Sequence, residues 1–352
     1  MDAHSIARRR CVNRISLTAS ERAELFVETA ARRGLSPVIV EKDYWVCVAL
    51  DALFREPQPI ELVFKGGTSL SKCYGLIERF SEDVDLAFDR VGLGFTGDRD
   101  PEAEGLSNKQ RKTLVGELSE AAAAYVSGAF KEATRERLSS VLPDEPWSLD
   151  VDPDDAQTLL FAYPASLNSS TYSANEYVRP VVRLELGARS DQTPSEARTV
   201  TSIATEEFGD ALTQSPPIEV PTLAATRTFW EKASLLHAEN HREQPFNPAR
   251  ARSRHFYDLL KLAQSAYAAQ AIEDLPLRDR VAQHKSLFFA AASARYDLFR
   301  PPTISLLPQS EDALERLRSD YEQMQVMFFD ERPDFDTLVL ELQALEMRLN
   351  AT

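Results

Sequence analysis

The chain has 352 residues, 43% of them hydrophobic, and a formal net charge of −15. This length allows a large core, and no apolar run is long enough to span a membrane. The acidic balance excludes a protein that coats nucleic acid nonspecifically, so any contact with nucleic acid needs a local basic patch. The three cysteines, Cys11, Cys47 and Cys73, are too few and too widely spaced for a disulfide framework. Because the sequence also shows no secretory signal, we expect a cytoplasmic protein.

The first predicted elements are two helices. Ser20 is the candidate N-cap of a helix that ends near Arg33, and Pro37 begins a second helix through VIVEKDYWVCVALDALF. The stretch IELVFKGG then predicts a buried strand stopped by glycines, and TSLSKCYGL predicts a short helix. In DVDLAF, charged and apolar residues alternate, which predicts a strand with one buried face.

The middle of the chain predicts one long helix and several strands. A polar loop over residues 89–108 precedes the helical stretch KQRKTLVGELSEAAAAYVSGAFKEATRERL. The stretches WSLDVDP, TLLFAYP and YVRPVVRLELGARS predict strands, and RTVTSIA is compatible with one more. After Leu223 only helical patterns follow. We therefore expect a mixed α/β part over residues 1–220 and a helical part over residues 221–352.

A glycine turn between the first strand and the short helix is a candidate phosphate cradle. Gly66 and Gly67 let the backbone approach a ligand closely, and the first amides of a helix favour an anion. Thr68 and Ser69 add hydroxyl donors, and Lys72 lies one helical turn further on, where it could reach bound phosphate. The same residues would also suit a tight turn that binds nothing.

Two aspartates on the following strand are candidate metal ligands. Asp83 and Asp85 are two residues apart, so their side chains share one face of the strand. Adjacent carboxylates repel each other unless a cation lies between them, and hard oxygen ligands suit Mg²⁺ bridged to substrate phosphates. The alternative is a solvent-facing pair on an edge strand. A glycine turn, a short helix and a D-x-D strand together are typical of DNA polymerase β-like nucleotidyltransferases.

These motifs resemble a known family. The stretch KGGTSLSK, with RFSEDVDL after it, is similar to the nucleotidyltransferase AbiEii/AbiGii toxin family, the toxin half of bacterial toxin–antitoxin pairs. VEKDYWV resembles the family's N-terminal helix, RTFWEKASLLH its lysine motif and SRHFYDLLKL its downstream aspartate motif. The four blocks run in the family's order from about Glu41 to Leu262, and no motif is recognisable after them.

The resemblance implies a fold, a reaction and partners. It implies a DNA polymerase β-like α/β domain followed by a helical C-terminal domain that contributes a lysine and an aspartate to the active site. It implies a nucleoside triphosphate (NTP) substrate, Mg²⁺ held by Asp83 and Asp85, and transfer of a nucleotide to the 3′ end of tRNA with growth arrest. A cognate antitoxin protein is the implied partner.

Three further residues are candidates for catalysis. Lys232 lies on or beside the buried stripe of its helix. The resemblance implies that it contacts the triphosphate. Without the resemblance, the position would indicate a lysine whose stem is buried and whose ammonium reaches solvent. Asp258 matches the aspartate motif, although alone it would pair with Arg254 on the helix surface. Glu185 shares a strand face with Arg183. It is either a third carboxylate that deprotonates the acceptor or one half of a surface ion pair.

The acceptor is the least determined part of the sequence-based prediction. A protein or small-molecule hydroxyl is an alternative to RNA, and an inactive nucleotide-binding partner module is another. The intact set of motifs argues against the inactive module. A basic cluster in the loop before Asp258 favours RNA. The alternative is that this loop is only a solvated connector between two helices. The residues of the cluster are Arg242, Arg250, Arg252, Arg254 and His255.

Overall fold

The computed structural model describes residues 17–81, 83–173, 178–209, 217–242, 245, 252–329 and 332–351. Within these ranges the protein is a mixed α/β structure built on a seven-stranded sheet with the order β3-β4-β5-β2-β1-β7-β6. The strands are β1 Leu62–Lys65, β2 Asp83–Phe88, β3 Ser148–Val151, β4 Thr158–Ala162, β5 Val181–Gly187, β6 Ser195–Val200 and β7 Ile218–Leu223. The strands predicted from alternating hydrophobicity are therefore confirmed.

Eight α-helices run up to and including the first helix after β7, and five more follow that helix; no further strand comes after β7 in the described residues. The first group is α1 Ala19–Arg33, α2 Pro37–Phe54, α3 Gly66–Lys72, α4 Asn108–Tyr125, α5 Lys131–Val141, α6 Ser169–Ser173, α7 Ile203–Phe208 and α8 Ala225–Asn240. The second group is α9 Ser253–Gln264, α10 Tyr267–Glu273, α11 Leu275–Phe288, α12 Glu311–Gln323 and α13 Phe335–Ala351. No described helix is both long and apolar enough to cross a membrane.

Several boundaries differ from the sequence-based prediction. Thr18, rather than Ser20, caps α1, because its hydroxyl accepts the Glu21 amide in a capping box. The predicted long helix is interrupted by a π-helical turn at Val126–Phe130, where Gly128 leaves helical geometry. The stretch RTVTSIA is only partly a strand, since Ser202 caps the short helix α7.

The core consists mainly of two clusters of buried hydrophobic side chains. One lies between the sheet and the helices α1, α2, α4 and α5, with Trp45 and Phe88 among its largest members. The other joins the helices after β7 to α3 through Leu70 and to the segment that follows α3 through Ile77. The predicted boundary after residue 220 falls inside β7, which pairs with β1. The helical part is therefore packed directly onto the α/β part.

Candidate active site

The glycine turn at the start of α3 leaves space for the side chains of Asp85 and Arg79. Gly66 has φ +79°, and a Cβ atom there would lie 1.9 Å from Asp85 Oδ2. A Cβ at Gly67 would lie 2.7 Å from Arg79 Nη2 and 2.8 Å from Ser81 Oγ. Real Cβ contacts are not this short, so only glycine lets the Asp85 carboxylate and the Arg79 guanidinium lie against this backbone.

Three carboxylates lie side by side on β2 and β5. The strands are parallel, and their register places Asp83 beside Arg183 and Asp85 beside Glu185. Arg183 Nε lies 3.7 Å from Asp83 Oδ1 and 3.5 Å from Glu185 Oε1. Burial and the neighbouring Asp85 carboxylate raise the pKa of Glu185 above its usual value. The structure thus brings all three predicted carboxylates together, and β2 is a central strand rather than an edge strand.

The hydroxyl and lysine side chains of α3 are engaged within the fold. The Thr68 hydroxyl donates to the carbonyl oxygens of Ser81 and Asp83, and the Ser69 hydroxyl donates to the Gly66 carbonyl at 2.9 Å. Lys72 forms a nearly buried ion pair with Asp43 of α2. Each of these three side chains therefore has a partner within the protein, and its contact with phosphate stays a prediction.

A buried charge cluster joins the lysine and aspartate motifs. Asp258 is fully buried and accepts from Arg79 Nε and Nη2 at 2.7 and 2.8 Å, and from Lys232 Nζ at 2.8 Å. Lys232 Nζ also lies 3.0 Å from His255 Nδ1. The alternative, a surface pair of Asp258 with Arg254, does not hold, because the buried carboxylate pairs with Arg79 and Lys232. Arg79 was missed by sequence reasoning, although it lies within the quoted block RFSEDVDL.

The electrostatics of this cluster favour charged partners around a neutral histidine. Burial raises the pKa of Asp258, but Arg79 and Lys232 outweigh that effect and hold it well below its usual value. Burial and the adjacent Lys232 ammonium lower the pKa of His255, so that its Nδ1 is available to accept a hydrogen bond from that ammonium. Asp258 is therefore a carboxylate that fixes two cations and carries no proton to donate.

One cavity of about 280 Å³ connects these groups. Its basic lining residues are Lys65, Arg79, Lys232, Arg254, His255 and Lys285, and its acidic ones are Asp83, Asp85, Glu185 and Glu231. The remaining lining residues include both glycines of the turn. Asp258 lies behind this lining. Two lining lysines were not predicted. Lys65, the first residue of the block KGGTSLSK, has its Nζ 3.8 Å from Asp85 Oδ1, and Lys285 comes from α11.

The predicted arginine cluster is divided between two places. Arg250 lies outside the described residues. Arg242 and Arg252 form ion pairs with Glu239, at 2.9 and 3.7 Å. Arg254 lines the cavity that contains Asp83. The RNA-binding role predicted for this cluster stays a prediction, and the side chain of Arg254 lines the cavity beside the candidate nucleotide site.

The carboxylate pair fits a Mg²⁺ ion that is completed by substrate. Asp83 and Asp85 are partly exposed to one cavity, and the missing side chain at Gly66 leaves room for the Asp85 carboxylate. Within the ranges that the structure describes, no group of three or more His, Cys, Asp and Glu side chains has the spacing to hold a metal ion alone. Mg²⁺ is often held by one or two carboxylates together with substrate phosphates, so this arrangement suits it.

Comparison with known proteins identifies the class and then the family. The sequence matches a family model described as nucleotidyl transferase AbiEii toxin, type IV toxin–antitoxin system, over residues 48–341. The protein is thus a nucleotidyltransferase toxin of a type IV toxin–antitoxin system. The chain belongs to the AbiEii family, as the sequence motifs predicted. The match begins after the VEKDYWV block and extends well beyond Leu262, the last residue of the blocks recognised in the sequence.

One solved structure is similar to this chain over nearly its full length. It is MenT4, a nucleotidyltransferase toxin from Mycobacterium tuberculosis H37Rv, which is 18% identical in sequence. The alignment covers 96% of this chain and 99% of that chain, with a TM-score of 0.43. No curated protein matches this chain in sequence.

Proposed function

We propose that this protein transfers a nucleotide from an NTP to an RNA acceptor, the 3′ end of tRNA, and thereby arrests growth until a cognate antitoxin neutralises it. The observation that carries the proposal is the 280 Å³ cavity, whose lining includes three carboxylates of β2 and β5, Lys232, Arg254 and the glycine turn. The cations of this lining suit a triphosphate, and its carboxylates suit a metal and a reacting hydroxyl.

The proposed layout is that of a DNA polymerase β-like nucleotidyltransferase followed by a helical part. It is supported by the glycine turn between β1 and α3 and by the acidic residues on the adjacent strands β2 and β5. We set the division after β7, at Leu223, rather than after residue 220. The helices beyond it supply Lys232, Arg254 and Lys285 to the cavity.

In the proposed mechanism, the cations bind the triphosphate and a carboxylate takes the proton. The acceptor hydroxyl oxygen bonds to the α-phosphorus, the bond from that phosphorus to the bridging oxygen breaks, and pyrophosphate leaves. Glu185 takes the hydroxyl proton, a role for which its raised pKa is suited. Lys232 and Arg254 stabilise the negative charge that develops on the leaving phosphates.

The remaining residues hold these groups in place. Asp83 and Asp85 would hold Mg²⁺, which when bound offsets charge on the phosphates. Asp258 fixes the ammonium of Lys232 and the guanidinium of Arg79 through hydrogen bonds of 2.7–2.8 Å. We therefore assign Asp258 a positioning role, since its carboxylate lies behind the cavity lining.

The test incubates the full-length protein with Mg²⁺, each labelled NTP in turn and total bacterial RNA. We expect label in the tRNA band, none when EDTA replaces Mg²⁺, and none with the Asp83→Asn variant. Label in another RNA would replace the tRNA acceptor, and label in protein would move the acceptor to a protein hydroxyl. Absence of transfer from every NTP to every fraction would refute the proposed activity.

A further inference from the structure

A second cavity forms a basic groove in this acidic protein. It has a volume of about 730 Å³ and lies between α4, the segment after β5, and the end of α11 with the residues that follow it. Four of its lining residues carry positive charge and one carries negative charge; they are Arg111, Lys112, Arg189, Arg295 and Asp297. With a net charge of −15 on the whole chain, this concentration of positive charge is a local exception.

Most of this positive charge is available to a ligand. Arg295 is paired with Asp297, at 3.0 Å. Arg111 Nε donates to the Pro101 carbonyl at 2.8 Å, which fixes the guanidinium without neutralising it. Neither Arg111, Lys112 nor Arg189 forms an ion pair with an acidic side chain in the described part of the chain. Three cations without an acidic partner among the described residues, along one groove, are a charge arrangement that suits a phosphodiester backbone.

The groove adjoins the candidate active site along two stretches of chain. In the segment after β5, Ser190 lines the catalytic cavity and its neighbour Arg189 lines the groove. In α11, Lys285 lines the catalytic cavity and its neighbour Ser286 lines the groove. The Phe289 ring lines the catalytic cavity and carries the Arg189 guanidinium 4.9 Å from its centroid. The two cavities are therefore neighbours on either side of Phe289 and Arg189.

The surface of the groove is also apolar where a base could stack. Its lining includes Leu287, Phe288 and Tyr296, of which Phe288 is buried and Tyr296 is half-exposed. Grooves that bind single-stranded nucleic acid combine cations along the backbone path with aromatic rings on which bases stack. The half-buried Tyr296 ring, in the same groove as these cations, fits that combination.

We propose that this groove binds the single-stranded end of the RNA acceptor and directs its terminal hydroxyl into the catalytic cavity. The inference rests on the proposed transfer to RNA and places the acceptor surface at Arg111, Lys112, Arg189 and Tyr296, instead of at the arginines before Asp258. A third cavity, beside α2 and α3, does not compete for this role, because its cations Arg33 and Lys72 are both paired with acidic side chains.

The test compares RNA binding by a double variant, Lys112→Gln with Arg189→Gln, and by the wild type over a series of salt concentrations. For single strands, each lost phosphate contact reduces the slope of log affinity against log salt by about 0.7, so the double variant should lose about 1.4. At 0.15 M salt the same relation gives an affinity about 14-fold weaker. Transfer to RNA at subsaturating RNA should fall by a similar factor, while NTP affinity stays unchanged.

Two further variants separate charge, stacking and nonspecific effects. Lys131→Gln with Arg348→Gln removes the same charge at residues that line neither cavity, and should leave RNA affinity within about twofold of the wild type. Tyr296→Leu should weaken RNA binding roughly fivefold or more without changing the salt slope, because stacking releases no counterions.

The outcomes distinguish this inference from the proposed function. Wild-type protein that labels no RNA would overturn the function and the groove together. Wild-type protein that labels RNA, with a groove variant of unchanged affinity and salt slope, would overturn the groove alone. A groove variant that transfers to RNA normally but escapes neutralisation by the antitoxin would assign the surface to the antitoxin and refute the inference.

Discussion

Replacing Asp258 by asparagine should destabilise the protein strongly, because this carboxylate is the shared partner of two buried cations. Arg79 donates two hydrogen bonds to it and Lys232 donates one, all within 2.8 Å, and the Asp258 side chain has no exposed surface. A charge pair at about 4 Å is worth about 4 kcal/mol at an effective dielectric constant of 20. Breaking such a buried pair from one side costs about 3–5 kcal/mol, and we expect Asp258→Asn to lower the free energy of unfolding by that amount.

The matched control is Lys232→Met. It keeps the length of the side chain and leaves the bidentate pair between Arg79 and Asp258 intact. It removes the hydrogen bonds to His255 and Asp258 and one of two like charges, while Asp258 keeps its pair with Arg79, so the loss of unfolding free energy should be about 1–2 kcal/mol, smaller than for Asp258→Asn. Transfer activity should nevertheless fall roughly 10²-fold or more, since a cation facing the triphosphate is lost.

Urea denaturation at pH 7 with transfer assays on the same samples measures both effects. Asp258 stabilises the fold only in its charged form, and its pKa is lower in the folded protein than in the unfolded chain. The stabilisation is therefore fully present above the unfolded pKa of about 3.9, and it is lost as the pH falls through the lowered pKa of the folded protein. An Asp258→Asn variant within 1 kcal/mol of the wild type at pH 7 would refute the assigned positioning role. So would a Lys232→Met variant that is as unstable as Asp258→Asn.

Further predictions concern the carboxylates, the glycine turn, nucleotide binding and pH. Asp83→Asn and Asp85→Asn should abolish transfer and leave thermal stability unchanged or raised, because repulsion between adjacent carboxylates is removed; a fall in melting temperature would contradict this. Gly66→Ala should abolish transfer and lower the free energy of unfolding by at least about 1–2 kcal/mol, because alanine is strained at this positive φ and its Cβ would collide with Asp85. An active and stable variant would contradict the close approach of Asp85 to the glycine turn. Arg254→Gln should raise the KM for NTP, measured at saturating RNA. An unchanged KM would indicate that Arg254 does not bind the nucleotide and would favour a role in RNA binding. Burial lowers the pKa of His237 to about 4, so His237 alone should contribute about 2 kcal/mol to the fall in unfolding free energy between pH 7 and pH 5, and the fall should be smaller by that amount in His237→Gln.

Local sequence patterns predicted the elements of the sheet well. The alternation in DVDLAF placed Asp83 and Asp85 on one face of a strand, and the structure has that strand at the predicted residues. The alternation in VVRLELG did the same for Glu185. Whether Glu185 lies beside Asp85 could not be predicted, because the parallel pairing of β2 with β5 joins segments that are far apart in the chain. Periodicity within a strand carries no information about its neighbour.

The contacts of Lys72 and Thr68 could not be predicted for the same physical reason. Spacing along α3 correctly places a lysine one turn beyond the glycine turn, but a lysine side chain binds whichever carboxylate the fold brings near it. That carboxylate is Asp43, which comes from the preceding helix α2. The resemblance to a family assigned Lys232 and Asp258 to one site, but it did not indicate that Arg79 would be the link between them.

The separate sequence blocks become one structural unit through a chain of contacts. Gly67 lacks the side chain that would collide with Arg79, and Arg79 reaches Asp258, which in turn holds Lys232 at the cavity. The segment that carries Arg79 is also fixed to the helical part by backbone hydrogen bonds, since the Phe80 amide donates to the Met327 carbonyl at 2.6 Å. Each motif thus depends on a group from the other part of the chain. The cavity forms only where the sheet and the later helices meet, so neither part contains the site by itself.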